Sequence, residues 1–263
     1  MKTRIISAIV ALAIIVPLLI IGGKAFIIGA GLLAVLGYKE IVELKESHKK
    51  LPIFVQIIGL IDLLLLVFSE FDGYSIMFGV TYKGIALTLV SLLIPAVLYK
   101  NDEYTTKDAF YMIGSVLLLG TVFNVLILLR ALSLNLIIYL VLISTMTDTF
   151  AMVIGSLIGK HKMIPHVSPN KTWEGSIAGS VVGTIIAVIF YSNFIGAFSI
   201  KLVIGTLILS IVGQFGDLIF SKIKRENKIK DFSNIMPGHG GILDRLDSLA
   251  IIVLAYVVLF SMF

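Results

Sequence analysis

The first residues in this sequence able to do chemistry are acids embedded in apolar runs. Asp62, Asp148, Glu174, Asp217, Asp244 and Asp247 lie within or at the ends of long hydrophobic stretches. A charge there is costly and usually functional. Asp244 and Asp247 are spaced i, i+3 and share one helix face. Asp217, Ser221 and Lys224 follow i, i+4, i+7, again one face. Two consecutive helices thus present carboxylates toward a common point. Clustered carboxylates without thiolates suit a hard cation such as Mg2+. The competing reading is plain ion pairing between helices, with Lys222, Arg225 and Arg245 as partners.

Two polar breaks flank these acids. The segment 222–241 carries Lys222, Lys224, Arg225, Lys228 and Lys230, then Pro237, Gly238, His239, Gly240 and Gly241 directly before an apolar run. Glycines at a helix N-terminus let backbone N–H groups face an anion, and the helix dipole adds to this. The other break, Gly159 to Gly175, reads GKHKMIPHVSPNKTWEG. Ser168, Asn170, Lys171 and Thr172 offer hydroxyl, amide and ammonium groups to a phosphate. Thr172 also reads as the N-cap of the following helix. The stretch GSLIGKH (155–161) only looks like a P-loop: its glycines are one residue too close, and His161 stands where a hydroxyl should hold Mg2+. His161 and His166, separated by a proline, read as surface residues. Gly175, Gly179 and Gly183 form a small-residue stripe for close helix packing, within one chain or across a homodimer.

The elements that position these groups follow from composition. Of 263 residues, 58% are hydrophobic and 14% charged, with a mean hydropathy of +1.06. Soluble domains run at about 45–50% apolar and about 25% charged. Disorder, a fibrous chain and an ordinary soluble globule are excluded. The absence of cysteine excludes disulfides and thiolate metal sites. Nine apolar runs are read as helices: 5–22, 25–44, 53–69, 76–99, 109–129, 134–158, 174–192, 199–221 and 242–262. They are continuous rather than alternating, which favours helices over a barrel. The first follows Lys2 and Arg4 but lacks a small-residue cleavage site, so it reads as an uncleaved helix. The expected fold is all-α, a polytopic membrane protein with about nine transmembrane helices. On this topology 17 of the 21 Lys and Arg residues fall on one side, leaving Lys24, Lys83, Arg130 and Lys201 on the other. The positive-inside rule then makes the N-terminus and the breaks 159–173 and 222–241 cytoplasmic. The expected division is an N-terminal helical part, 1–130, and a catalytic part, 131–263. No internal repeat supports an inverted-repeat transporter.

The stretch from Ser221 to Asp247 reads SKIKRENKIKDFSNIMPGHGGILDRLD. It resembles the signature of the phosphatidate cytidylyltransferases (CDP-diacylglycerol synthases). Gly216-Asp217-Leu218, Ser168 to Gly175 (SPNKTWEG) and Asp148-Thr149-Phe150-Ala151 are similar to that family too. The resemblance covers roughly the last 120 residues and departs at Phe220, where an acid is expected and no ligand role is left.

The resemblance implies that CTP and phosphatidic acid give CDP-diacylglycerol and pyrophosphate at a cytoplasmic-facing site in a bacterial inner (plasma) membrane. It implies Mg2+, with a second metal ion as an option. Asp217 and Asp244 are the first-choice metal ligands, then Asp247 and Asp148. Asp231 would ligate metal or orient Lys230. Lys171, Lys224, Arg225, Lys230 and Arg245 would contact phosphates, alongside Ser168, Asn170, Thr172 and Ser221. His239 would act with Gly238, Gly240 and Gly241 near the nucleotide. Expected partners are CTP, phosphatidic acid, the bilayer and a second copy in a homodimer, without nucleic acid. Two alternatives stand beside this reading. One is a CTP-dependent transferase or kinase acting on another lipid or a polyprenol. The other is an ion-coupled transporter, which would need charges spread through the membrane depth.

Overall fold

The computed structural model describes residues 2–46, 49–69, 82–100, 102–238, 240–259 and 263. The chain divides into two compact units, Met1–Ala131 with Phe232–Ile242, and Leu132–Asp231 with Leu243–Phe263. The segment from Ser221 to Asp247 is therefore shared out between the units.

The first unit holds α1 (Lys2–Ile21), α2 (Gly23–Glu46), α3 (Ile53–Val67), α4 (Tyr82–Leu93), the short α5 (Pro95–Leu98) and α6 (Thr106–Leu132). The break at Ile94 follows from Pro95, which has no N–H to continue the ladder. Val55, Leu63 and Leu66 of α3 and Val116 and Phe123 of α6 are fully buried in its core. Polar side chains close helix ends that the apolar residues cannot. Asn124 Nδ2 donates to the Val67 carbonyl at 3.2 Å, and Arg130 Nε to the Leu19 carbonyl at 2.6 Å. Asp62 is buried and accepts from Ser91 Oγ at 2.5 Å.

The second unit holds α7 (Leu134–Ile158), an antiparallel hairpin of β1 (Lys162–Ile164) and β2 (Ser168–Thr172), α8 (Trp173–Phe194), α9 (Ile200–Glu226) and α10 (Leu243–Leu259). Hydroxyl caps start three of its helices: Ser133, Thr172 and Ser199 accept from the N–H groups of Asn135, Gly175 and Leu202. The Gly175, Gly179 and Gly183 stripe is used within the chain, against α7. A Cβ at Gly179 would lie 2.5 Å from the Thr147 carbonyl. The two helix backbones therefore meet with no side chain between them.

Where they are described, the nine apolar runs are centred on helices, with 76–81 and 260–262 lying outside the described residues and the fourth run broken at Ile94, but this does not establish nine membrane crossings. Among the described residues, α2, α6, α7, α8 and α9 are long and apolar enough to cross a membrane by length and composition. α3 and α4 are shorter. The all-α expectation needs one correction, the β1–β2 hairpin. Its ladder pairs Lys162 with Thr172 and Ile164 with Ser168, and continues as Trp173 N–H to the His161 carbonyl at 2.9 Å. The segment from Ser168 is strand, and the helix begins only after Thr172.

Candidate active site

All four helices of the second unit and its hairpin contribute to a cavity of about 660 Å3. Its polar lining is Asp148 and Ser156 from α7, Lys162, Asn170, Lys171 and Thr172 from the hairpin, Ser176 from α8, Gln214 and Asp217 from α9, and Asp247 from α10. Close backbone approach makes this convergence possible. Gly216 does for α9 and α10 what the stripe does for α7 and α8: a Cβ there would lie 2.8 Å from the Asp247 carbonyl. The residue after it is Asp217, so this close approach of the two helices puts both carboxylates at the cavity.

The charges are arranged rather than merely gathered. Lys171 Nζ meets Asp217 Oδ2 at 2.5 Å and donates to the Gln214 carbonyl at 3.4 Å. Asp217 also accepts from Ser221 Oγ at 3.5 Å. Asp217 and Asp247 line the same cavity, and each carboxyl group sits in the field of the other. Asp148 accepts from Ser248 Oγ at 3.0 Å and sits in the field of both Lys171 and Asp217. Three carboxylates and one lysine thus share one side of the cavity, with Lys162 as a second cation in its wall.

Several residues expected at the site do not line this cavity. Asp244 is buried and pairs with buried Lys224, Nζ to Oδ1 at 2.7 Å, and neither lines the cavity. Residues three apart on a helix are about 60° apart around its axis, enough for Asp247 to face the cavity while Asp244 faces α9. The interhelical pairing considered from sequence does occur, through Lys224 with Asp244, and Lys171 adds a strand-to-helix pair with Asp217, instead of Lys222, Arg225 and Arg245. Arg225 donates from Nε to the Val167 carbonyl at 3.4 Å and from Nη1 to the Ile229 carbonyl at 3.1 Å, tying the hairpin turn to α9. Lys230, Asp231 and Arg245 are exposed, and Phe220 is buried as an apolar core residue. Ser168 opens β2 and Ser221 stands beside Asp217. Gly238 and Gly240 adopt positive φ, 77° and 83°, in a tight turn closed by reciprocal N–H to carbonyl bonds between Met236 and Gly240. That turn and Gly241 belong to the first unit. His239 lies outside the described residues.

Sequence reasoning passed over Gln214, Ser176 and Ser248. Gln214 is buried and fully engaged: Oε1 accepts from Ser176 Oγ at 2.6 Å, and Nε2 donates to Ser180 Oγ at 2.7 Å and the Ser176 carbonyl at 3.2 Å. A glutamine inside an apolar run, three residues before Asp217, was the available signal.

Among the described residues, no group of three or more His, Asp or Glu side chains converges closely enough to hold a metal by itself. Mg2+ does not need such a cage. It is commonly held by one or two carboxylates together with waters and substrate phosphates. Asp217 and Asp247 have the donor chemistry and the proximity for that mode, and Asp148 borders the same space.

A comparison with known families settles the class. The model of the cytidylyltransferase family matches residues 2–263. The chain belongs to that family. It is similar to the phosphatidate cytidylyltransferase of Staphylococcus haemolyticus, 37% identical over 250 residues, and to that of Staphylococcus aureus strain COL, 37% over 254. The Staphylococcus saprophyticus enzyme of the same name is 36% identical over 252 residues. In each case 94% of both chains is covered. The family match extends the resemblance from the last 120 residues to the whole chain. As a cytidylyltransferase the protein is a nucleotidyl-transferring enzyme, and its apolar helices make it a multi-pass membrane protein.

Proposed function

We propose that this chain transfers CMP from CTP to phosphatidic acid, giving CDP-diacylglycerol and pyrophosphate, at the Asp148–Lys171–Asp217–Asp247 cavity. The observation that carries the reading is that cavity itself: carboxylates facing one another and a lysine, set among helices apolar enough for a membrane. A lipid acceptor accounts for the helices and a polyphosphate donor for the charges.

The reaction joins an oxygen of the lipid phosphate to the α-phosphorus of CTP and breaks the α–β phosphoanhydride bond. The acceptor is already an anion, so no general base is required. The difficulty is repulsion between two polyanions, and positioning and neutralisation supply most of the rate. Lys171, held by Asp217 and the Gln214 carbonyl, is oriented to receive a phosphate oxygen. Asn170 and Thr172 on the same strand offer further donors. Asp217 and Asp247 would hold Mg2+, with Asp148 beside them. When bound, the ion neutralises the phosphates and the departing pyrophosphate. The basic excess of loops 159–173 and 222–241 supports a cytoplasmic site in a bacterial inner membrane.

The test is pyrophosphate release by purified protein with CTP and phosphatidate, polyprenol phosphate or no lipid. Release only with phosphatidate is the expected result. Equal release with polyprenol phosphate would overturn the acceptor assignment, and none with any lipid would overturn the reaction.

A further inference from the structure

The helices of the second unit are not all sealed to one another in the same way. α7 meets α8 at Gly179 and α9 meets α10 at Gly216, each glycine lying against a carbonyl of its neighbour. Among the described residues, no glycine draws α8 and α9 together. Side chains close that seam instead. Gln214 of α9 accepts from Ser176 Oγ at 2.6 Å and donates to Ser180 Oγ at 2.7 Å. Beside this bridge a second cavity, of about 310 Å3, opens between the two helices. Its apolar walls are Trp173, Ile177 and Val181 on α8 and Leu207, Ile211 and Phe215 on α9. All of these but Leu207 are exposed. Ser176 and Gln214 line this groove and the carboxylate–lysine cavity alike. The polar site therefore continues, through one bridge of hydrogen bonds, into an apolar groove on two helices of membrane-spanning length. From Trp173 to Val181 that groove runs roughly 12 Å along α8.

We propose that this groove is the acyl-chain subsite for the lipid acceptor: one chain of phosphatidate lies between α8 and α9, its glycerol crosses at Ser176 and Gln214, and its phosphate reaches Lys171. The assignment rests on the acceptor proposed above. Its occupant follows from continuity and charge. A second copy of the chain would cover the apolar walls but would make no use of the cation at their polar end. A diacyl phosphate matches both ends, with a chain for Ile177, Val181 and Ile211 and an anion for Lys171, which itself donates to the Gln214 carbonyl at 3.4 Å. Lipid tails are as apolar as these side chains, so the groove contributes position rather than affinity. Val181 and Ile211 then determine specificity. Their size sets how far a chain can run, and a chain that cannot lie down holds its phosphate short of Lys171.

Two measurements decide it. In the first, phosphatidate with a diazirine on one acyl chain is photolysed with the unaltered protein in detergent micelles. Label should concentrate on residues 173–181 and 207–215, and unlabelled phosphatidate but not phosphatidylcholine should compete it away. Label spread over every exposed apolar helix, or competed equally by phosphatidylcholine, would overturn the subsite. The second measurement is kinetic. Val181→Trp and Ile211→Trp fill the groove from exposed positions. Each should lower kcat/KM for dioleoyl phosphatidate about tenfold, while kcat/KM for dihexanoyl phosphatidate, whose chains are too short to run the groove, and KM for CTP stay within about twofold. Ile189→Trp, at an exposed α8 position beyond the groove, should change neither. Equal losses with the long and short lipids would overturn the acyl role. The sequence contains no cysteine, so Val181→Cys also reports on a protein occupant. Phosphatidate should shield it from maleimide, and a disulfide to a second copy in its place would overturn the proposal. A protein without CTP turnover would instead overturn the assigned reaction, and the photolabelling would still decide the groove.

Discussion

Asp217→Asn is the sharpest test of the cavity. Asparagine keeps the shape of aspartate, so the α9–α10 contact at Gly216 is preserved, but it removes the charge that faces Lys171 at 2.5 Å. A hydrogen bond to a charged group contributes about 1.5–3 kcal/mol. Losing the Lys171 contact and one ligand contact to a bound cation therefore costs about 3–6 kcal/mol. At about 1.4 kcal/mol per tenfold, turnover should fall by roughly 10^2 to 10^4. The assay is CDP-diacylglycerol formation against Mg2+ concentration, normalised to protein that elutes as a folded species in detergent. Asp244→Asn is the informative comparison. It leaves Lys224 buried beside an uncharged amide, and breaking a buried pair costs about 3–5 kcal/mol of stability. Its loss of turnover should therefore come with a clearly lower Tm, whereas Asp217→Asn, which breaks a partly exposed pair, should lose more turnover for a smaller fall in Tm. Near-normal turnover in Asp217→Asn would refute the placement of the chemistry in this cavity.

The other predictions are structural or local. Gly179→Ala forces a methyl against the Thr147 carbonyl and should destabilise by about 1–3 kcal/mol, read as a lower Tm in detergent. Thr172→Ser retains the α8 cap while Thr172→Ala loses it, at a cost of about 1 kcal/mol, so only the alanine should lower Tm. Asp62→Asn keeps its bond to Ser91 and, far from the cavity in sequence, should retain most turnover. A cysteine at Asn234 should be labelled by an impermeant reagent only after cells are opened. Labelling of intact cells would reverse the assigned topology.

The helices were legible because a membrane span is written in composition: the run 134–158 matches α7 residue for residue. The Thr172 cap and the glycine stripe were legible because each depends on neighbours close in sequence. The hairpin was not, since its strands have three and five residues and the second contains Pro169, too little for an alternating pattern to register. The site was legible as a set of residues but not as a set of directions. Spacing could put Asp244 and Asp247 on one face, but could not say that Lys224 would draw the first away while the second lined the cavity with Asp217. Glu40 of α2 carried a signal, an acid within an apolar run, but its buried carboxylate accepts from Ser233 Oγ and the Ile242 N–H, both at 2.7 Å, and no local pattern links residues so far apart.

That distance has a consequence for how the protein is made. Glu40 and Ser233 are separated by 193 positions. A ribosome adds roughly 5–20 residues per second, so α2 enters the bilayer roughly ten to forty seconds before the loop donors of its buried acid have been synthesised. The first unit therefore cannot be finished by the inserting machinery in passing; it must stay open until residues 232–242 arrive, after most of the second unit has been built. A truncation before Ser233 removes two of the hydrogen bonds to the buried Glu40 carboxylate and should make α2 a target for membrane quality control.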